Sequence, residues 1–361
     1  MDLDEELAAW VALSLAPGLS DESFRRLLVA FGGPRQILKA TRAELAAVVP
    51  ARAAAAVGAP APRERMRAVG RWLDAPLNRV ITFADSVYPQ ALLQIPDPPP
   101  LLYVKGRLEL LNRQCFAVVG SRNGTRQGSD HAQAFSRALS DAGLTIVSGL
   151  ALGIDAAAHR GGLDGASSSI AVVGTGPDVV YPARNSDLAH ELAQHGCIVS
   201  EFALGTPPDA ANFPRRNRLI SGLARGCLVV EAALASGSLI TARLANEQGK
   251  DVFAIPGSIH SPLAKGCHAL IKDGAKLVET AQDILDELGM AAPVIARDDT
   301  AKASAVASGP LLDALGFDPC DVDTLSARSG VSAGEVSAQL TQWEIDGIVE
   351  ALPGGRYQRV R

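Results

Sequence analysis

The sequence predicts an α/β fold: a doubly wound, Rossmann-like, mostly parallel sheet, with an N-terminal α-helical unit before it and a C-terminal winged helix after it. Three observations carry this reading. Short runs rich in Val and Ile recur between residues 116 and 255, each closed by Gly, Ser or Pro. The segments between the runs repeat apolar residues at helical spacing. The two ends of the chain show helical spacing broken by turn signals instead. Short buried-type strands alternating with helices are the mark of βα units in a parallel sheet.

At the N-terminus, Leu7, Trp10, Val11 and Leu15 lie on one helical face, Pro17-Gly18-Leu19-Ser20 interrupts, and Phe24, Leu27, Leu28 and Phe31 resume the pattern up to Gly32-Gly33. Ser20 and Thr41 are expected N-caps, Thr41 pairing with Glu44 as a capping box. Residues 1–75 are therefore expected to form a SAM-like or helix-hairpin-helix unit. Such a unit could touch a DNA backbone, but a packing or dimerisation role is the preferred reading. A proline-rich connection, Ile95-Pro96-Asp97-Pro98-Pro99-Pro100, falls early in the Rossmann-like domain expected over 76–289. Its strands are placed at Phe116 to Val119, Leu144 to Val147, Ile170 to Val173, Ile198 and Val199, Leu228 to Val230, and Val252 to Ile255. Residues 290–309 lack periodicity and read as a flexible linker. Residues 310–361 spell a winged helix: Leu325 to Ser329, a turn at Gly330, a helix through Val336, Leu340 and Trp343, and two wing strands around Pro353-Gly354-Gly355.

Composition narrows the function. A chain of 361 residues with 47% hydrophobic and 20% charged content can build two or three packed cores. No apolar run approaches the roughly 20 residues of a membrane span, and the acidic start lacks the basic region of a secretory signal, so a cytoplasmic protein without a membrane partner is expected. Five scattered cysteines without a C-x-x-C pair suggest neither a disulfide framework nor a metal site, and buried reduced thiols are expected. The net charge of -5 excludes a protein that coats nucleic acid with its whole surface, so any DNA site must be local. Two stretches are basic without an acid: residues 113–126 with Arg113, Arg122 and Arg126, and residues 213–225 with Arg215, Arg216, Arg218 and Arg225.

In open α/β sheets ligands sit beyond the carboxyl ends of the strands. After the first run, Gly120, Ser121, Arg122, Asn123, Gly124, Thr125 and Arg126 combine small residues, helix-start amides and two guanidinium groups, a phosphate cradle on paper. After the second, Asp155 and His159 lie one helical turn apart and read as caps that rigidify the turn rather than as an acid/base pair. After the third, Gly174-Thr175-Gly176 starts a dinucleotide fingerprint that Val179 breaks, which argues against NAD. The segment Asn212-Phe213-Pro214-Arg215-Arg216-Asn217-Arg218 supplies cations, an amide and an aromatic for a single strand, although Phe213 alone reads as core. Ser236-Gly237-Ser238 reads equally as an anion cradle or as helix capping. No Walker sequence is present, His190-Glu191 with His195 misses the zinc-protease spacing, and the G-x-S-x-G match at Gly330–Gly334 falls in a helix-turn-helix turn. No catalytic residue and no cofactor are expected. From Val331 through Gly355 the winged helix has no Lys or Arg but carries Glu335, Glu344, Asp346 and Glu350, so it reads as a protein-contact or regulatory module, with weak DNA binding through Arg356, Arg359 and Arg361 as the lesser option.

The wording and order of VVGSR, SGLALGID, GTGPDVVYP, FPRRNRLISG, SGSLITARLA and PGSIHSPLAKGCHALIKDGA resemble the DNA-processing family known as DprA or Smf, over about 200 residues. The resemblance implies a Rossmann domain that binds single-stranded DNA without sequence preference, commonly as a homodimer, protects incoming DNA during natural transformation and helps load the RecA recombinase. It carries DNA contacts onto Arg122, Phe213, Arg215, Asn217, Arg218 and the small residues of SGS. With the cradle residues, the full expected set is Gly120, Ser121, Arg122, Arg126, Phe213, Arg215, Arg216, Asn217, Arg218, Gly237 and Ser238. Asp209, Ala210 and Ala235 stand where many members carry basic residues. The rivals are a phosphoribohydrolase-like nucleotide enzyme, echoed by Glu231 near Gly237, and a DNA-responsive winged-helix regulator.

Overall fold

A computed structural model describes residues 3–59, 61–290 and 309–359. The chain divides into two compact units, the larger holding the N-terminal helices and a large sheet, the smaller the C-terminal segment.

The helical segment comprises α1 (Glu5–Ser14), α2 (Asp21–Phe31), α3 (Pro34–Lys39), α4 (Arg42–Ala46), α5 (Ala51–Val57) and α6 (Arg63–Leu73). Both expected caps are present. The Ser20 hydroxyl accepts from the Ser23 N–H, and Thr41 and Glu44 form the reciprocal box. Helix α2 ends at Gly32, whose φ of 81° lies in the left-handed region that a glycine enters at low cost. The segment's core, including Trp10, Val11, Phe24, Leu27, Ile37 and Leu45, is completed by two side chains from the sheet, Leu101 and Tyr103.

The sheet, nine-stranded among the described residues, contains β1 (Asn78–Thr82), β2 (Leu101–Gly106), β3 (Cys115–Val119), β4 (Thr145–Ser148), β5 (Ser169–Val172), β6 (Cys197–Ser200), β7 (Ala224–Val229), β8 (Asp251–Ala254) and β9 (Lys276–Leu277). Its order is β1-β2-β6-β5-β4-β3-β7-β8-β9. The runs read from the sequence are β3 to β8, all parallel. Strands β1 and β2 are additions at one edge, both antiparallel to their neighbours, and sequence reading passed over them. The reason lies in β2, which is buried on both sides: Leu101 and Tyr103 face the helical segment while Leu102 and Val104 face the sheet's own core, so no polar residue alternates with an apolar one. In β3 the alternation is between two apolar layers, Cys115, Ala117 and Val119 on one side and Phe116 and Val118 on the other. Covering helices are α7 (Arg126–Asp141), α8 (Ile154–Asp164), α9 (Ser186–His195), α10 (Asn212–Leu223), α11 (Ser238–Glu247), α12 (Lys265–Lys272) and α13 (Ala281–Glu287).

The C-terminal unit contains α14 (Pro310–Leu315), β10 (Cys320–Asp321), α15 (Val322–Ser329), α16 (Ala333–Ile345), β11 (Val349–Leu352) and β12 (Arg356–Arg359), with the three strands in one antiparallel sheet. Leu312, Leu315, Leu325, Val336, Leu340 and Val349 form its core. Gly330 closes α15 at φ 71° and Ser332 caps α16, so the G-x-S-x-G match is a helix-turn-helix turn. The linker expected over 290–309 lies, apart from its end residues, outside the described residues, as does Arg361. The five cysteines are unpaired and buried. No helix among the described residues is long and apolar enough to cross a membrane.

Candidate nucleic-acid interface

A cleft of about 760 Å³ lies beyond the carboxyl ends of β3 and β7. The strand order reverses there: successive strands run outward from β3 as far as β6, then β7 returns to the other side of β3. This is the position where the topology leaves room for a ligand.

The loop after β3 forms one wall, lined by Gly120, Ser121, Arg122 and Asn123. The Ser121 carbonyl accepts from the Ile154 N–H at 3.1 Å and its hydroxyl from the Asn123 N–H at 3.1 Å, which fixes the loop. Gly120 is small for an internal reason, since a Cβ there would lie 2.7 Å from the Ile154 side chain. Arg122 is exposed at the mouth, its guanidinium carbon 5.6 Å from the centroid of the Phe213 ring.

Helix α10 supplies the opposite wall. Phe213 and Asn217, one turn apart, both line the cleft. Phe213 is half-buried and belongs to no core cluster, so the sequence reading of it as core is corrected. Its ring lies 5.7 Å from Tyr181 at an interplanar angle of 32°. Tyr181, 46% exposed, was not among the expected residues, and the only signal for it is an aromatic in the loop that follows a strand run. The Asn217 amide donates to the Gly237 carbonyl at 3.3 Å and so ties α10 to the third wall, Ser236-Gly237-Ser238. The Ser236 and Ser238 hydroxyls are 2.7 Å apart, and α11 starts at Ser238 without a side-chain cap, its positive dipole end at the cleft. Gly237 has φ −63° and no atom within 4 Å of a Cβ built on it, so nothing inside the chain requires a glycine there.

The floor is a buried polar network. One Asp155 carboxylate oxygen accepts from the N–H groups of Gly149 at 3.1 Å and Ala151 at 3.4 Å. The Arg216 guanidinium donates to the carbonyls of Gly149, at 2.7 Å, and Val172. Burial pushes the Asp155 carboxyl upward against the pull of Arg216, and pushes Arg216 down to about 10. Burial also lowers His159 to about 3, so its ring is neutral. Nε2 accepts from the Leu150 N–H at 3.2 Å, which leaves the ring proton on Nδ1, 2.7 Å from the Ser169 hydroxyl. Ser169 in turn donates to the Ile146 carbonyl at 3.0 Å. Asp155 and His159 therefore hold a loop in which Leu150 adopts φ 57°, as the capping reading expected.

The arginine cluster is the main correction. Arg216 is 5% exposed and turned into the floor. Arg215 and Arg218 are not among the residues that line the cleft, and both reach the Glu201 carboxylate, at 3.0 and 2.7 Å. Arg215 also pairs with Asp21 of α2 at 2.6 Å, and Arg218 with Asp97 at 3.2 Å, while Asp97 pairs in addition with Arg25. The Glu201 side chain is 1% exposed; burial pushes its carboxyl up, against both arginines. Arg126 opens α7, is exposed and is likewise not a cleft residue. The expected phosphate cradle at the start of α7 is also corrected. A Cβ on Gly128 would lie 2.6 Å from a Glu231 carboxylate oxygen, and one on Gly124 3.3 Å from the same atom, so the chain's own anion already fills that space. Glu231 is thereby committed to the side of the loop after β3 rather than to Gly237.

The DNA recombination-mediator protein A family model matches residues 79–289, and the DprA winged helix domain model matches 295–355. The chain belongs to the DNA recombination-mediator protein A family. It is 43% identical to Protein Smf of Escherichia coli (strain K12) over 308 residues, covering 83% of this chain and 82% of that protein. It is 49% identical to DNA processing protein DprA of Streptococcus pneumoniae over 203 residues, covering 56% and 72%. The X-ray structure of the pneumococcal protein superimposes with a TM-score of 0.68 at 38% identity, covering 80% of this chain and 99% of that one. A structure of DNA processing protein A from Helicobacter pylori, described for its single-stranded DNA binding mode, gives 0.54 at 31% identity, covering 58% and 95%. The recombination-mediator match contains every cleft wall described above, whereas α1 to α6 precede it.

Proposed function

We propose that this recombination mediator binds single-stranded DNA in the cleft between β3 and β7, without sequence preference and without catalysis, and passes the strand to a RecA recombinase. The observation that carries the reading is the row Arg122, Phe213, Tyr181: two aromatic faces and a guanidinium in contact along one exposed cleft. Every unpaired base has a π-face, so such a platform holds a strand of any sequence, and a duplex, whose bases are already stacked, gains nothing from it. The dipole end of α11 and the Arg122 charge favour phosphate beside the platform. The acid/base candidates, Asp155 and His159, are engaged with backbone and buried hydroxyl groups, which supports binding rather than hydrolysis. The Helicobacter relative, described as binding single-stranded DNA, supports the same ligand. Family resemblance extends the reading to a cytoplasmic homodimer that shields incoming DNA during natural transformation.

The test is a salt titration of affinity for a fluorescent oligothymidine against a duplex of equal length, using wild type and the Arg122→Ala/Phe213→Ala double variant. Wild type should prefer the single strand and weaken steeply with salt, and the variant should lose affinity and part of the salt slope. Equal binding by the variant would move the DNA out of this cleft.

A further inference from the structure

Helix α6 presents a feature that the cleft does not use. Between residues 61 and 73 stand Arg63, Arg65, Arg67 and Arg71 against one acid, Glu64. The helix is amphipathic in an uncommon sense: Met66, Val69 and Trp72 pack into the helical segment's core, and all four arginines are exposed. Arg63, Arg67 and Arg71 recur every fourth residue, so they form one row with about 6 Å between successive members. Among the described residues only Arg71 of the four forms an ion pair, with exposed Glu64 at 3.2 Å, a contact of little energetic weight.

The row also points the right way. Helix α6 leads into β1 through a short turn and packs against it. Strand β1 is antiparallel to β2 and β2 to β6, so β1 runs in the direction of the parallel strands. The first turn of α6 therefore lies toward their carboxyl ends, the end where the cleft opens.

We propose that the arginine row of α6 is a second nucleic-acid surface, one that takes the phosphates of a single strand after it leaves the Phe213–Tyr181 platform. The aromatic of this helix, Trp72, is partly buried with its ring edge-on to Tyr103 at 5.9 Å, so the row itself contributes charge and lengthens the footprint. Its apolar face is occupied by the core, which leaves nothing to insert into a lipid layer. The inference rests on the cleft reading but is separable from it.

The experiment compares oligothymidines of eight and thirty residues binding to the full chain as wild type, as Arg63→Gln/Arg67→Gln/Arg71→Gln, and as Phe213→Ala, with melting curves to confirm folding. The triple variant should bind the octamer as wild type does. For the thirty-mer its log–log salt slope should fall by about 2, since three phosphates contribute about 0.7 each on a single strand, and its affinity should drop about tenfold or more at low salt. Phe213→Ala should weaken both lengths. An unchanged thirty-mer slope in the triple variant overturns the proposal. So does an equal loss on both lengths, which would put the arginines inside the primary site. If Phe213→Ala alone has no effect, the cleft reading fails while the arginine row keeps its own test.

Discussion

The two faces of α10 carry the same short motif to opposite ends. On one face, half-buried Phe213 lines the cleft together with Asn217, which is buried and tied to the Gly237 carbonyl. On the other, Arg215 and Arg218 join Asp21, Asp97 and Glu201 in an ion network between the sheet and the helical segment. Two arginines of the motif are taken up by the ion network, and the one that lines the cleft, Arg216, is buried in its floor beside Asp155 and backbone carbonyls. Charge written in a sequence becomes charge at a site only after the neighbouring carboxylates have been counted.

If that division is right, substitutions on the network face should move stability and those on the cleft face affinity. The largest effect is expected for Glu201→Ala. It removes the buried carboxylate shared by Arg215 and the nearly buried Arg218, which keeps Asp97, so the loss should approach the about 3–5 kcal/mol of breaking a buried pair, read from urea unfolding. The floor beneath the cleft follows by a different route. His159 is held neutral with its folded-state value lowered to about 3, so between that value and the ordinary 6.5 the unfolded chain binds the extra proton and stability falls as pH falls. Wild type should lose about 1.4 kcal/mol per pH unit below about 6.5 from this group alone, and His159→Gln should lack that component of the slope. Phe213→Ala should weaken oligothymidine binding by about 1–3 kcal/mol per stacked base while the melting midpoint stays within a few degrees. Arg122→Ala should reduce the salt slope by about 0.7, one phosphate on a single strand. The smallest effect, and the sharpest test of the comparison, is Arg215→Ala. Its side chain is 46% exposed, so stability should change by about 0–1 kcal/mol, and affinity for the octamer should not change at all. A loss of affinity there as large as that of Phe213→Ala would break the division between the faces.

The parallel strands were legible because each is a short apolar run ending in a turn residue, and the caps at Ser20 and Thr41 because their signals are local. Strands β1 and β2 were not, since β2 is buried between two cores and a proline-rich connection separates the pair. In the site, Arg122 and the Ser236–Ser238 turn could be placed from their positions after strands. The roles of Arg215, Arg216 and Arg218 could not, because Asp21, Asp97, Asp155 and Glu201 are distant in sequence and meet the arginines only in the folded chain. Glu231 was read as a weak enzymatic echo for the same reason: its position against Gly124 and Gly128 depends on β3 and β7 being neighbours, a pairing between strands more than 100 residues apart.

The burial of the five cysteines has a use beyond packing. Thiols shielded in this way, with Cys115 and Cys227 pushed up to about 12 by burial, are poor nucleophiles toward maleimides in the native state. Gly237, on the cleft's rim with an ordinary backbone and open space around it, accepts a side chain without strain. A Gly237→Cys protein can therefore be labelled at one chosen point without first removing any native residue. A dye there would report in real time when a strand enters the cleft and when it departs.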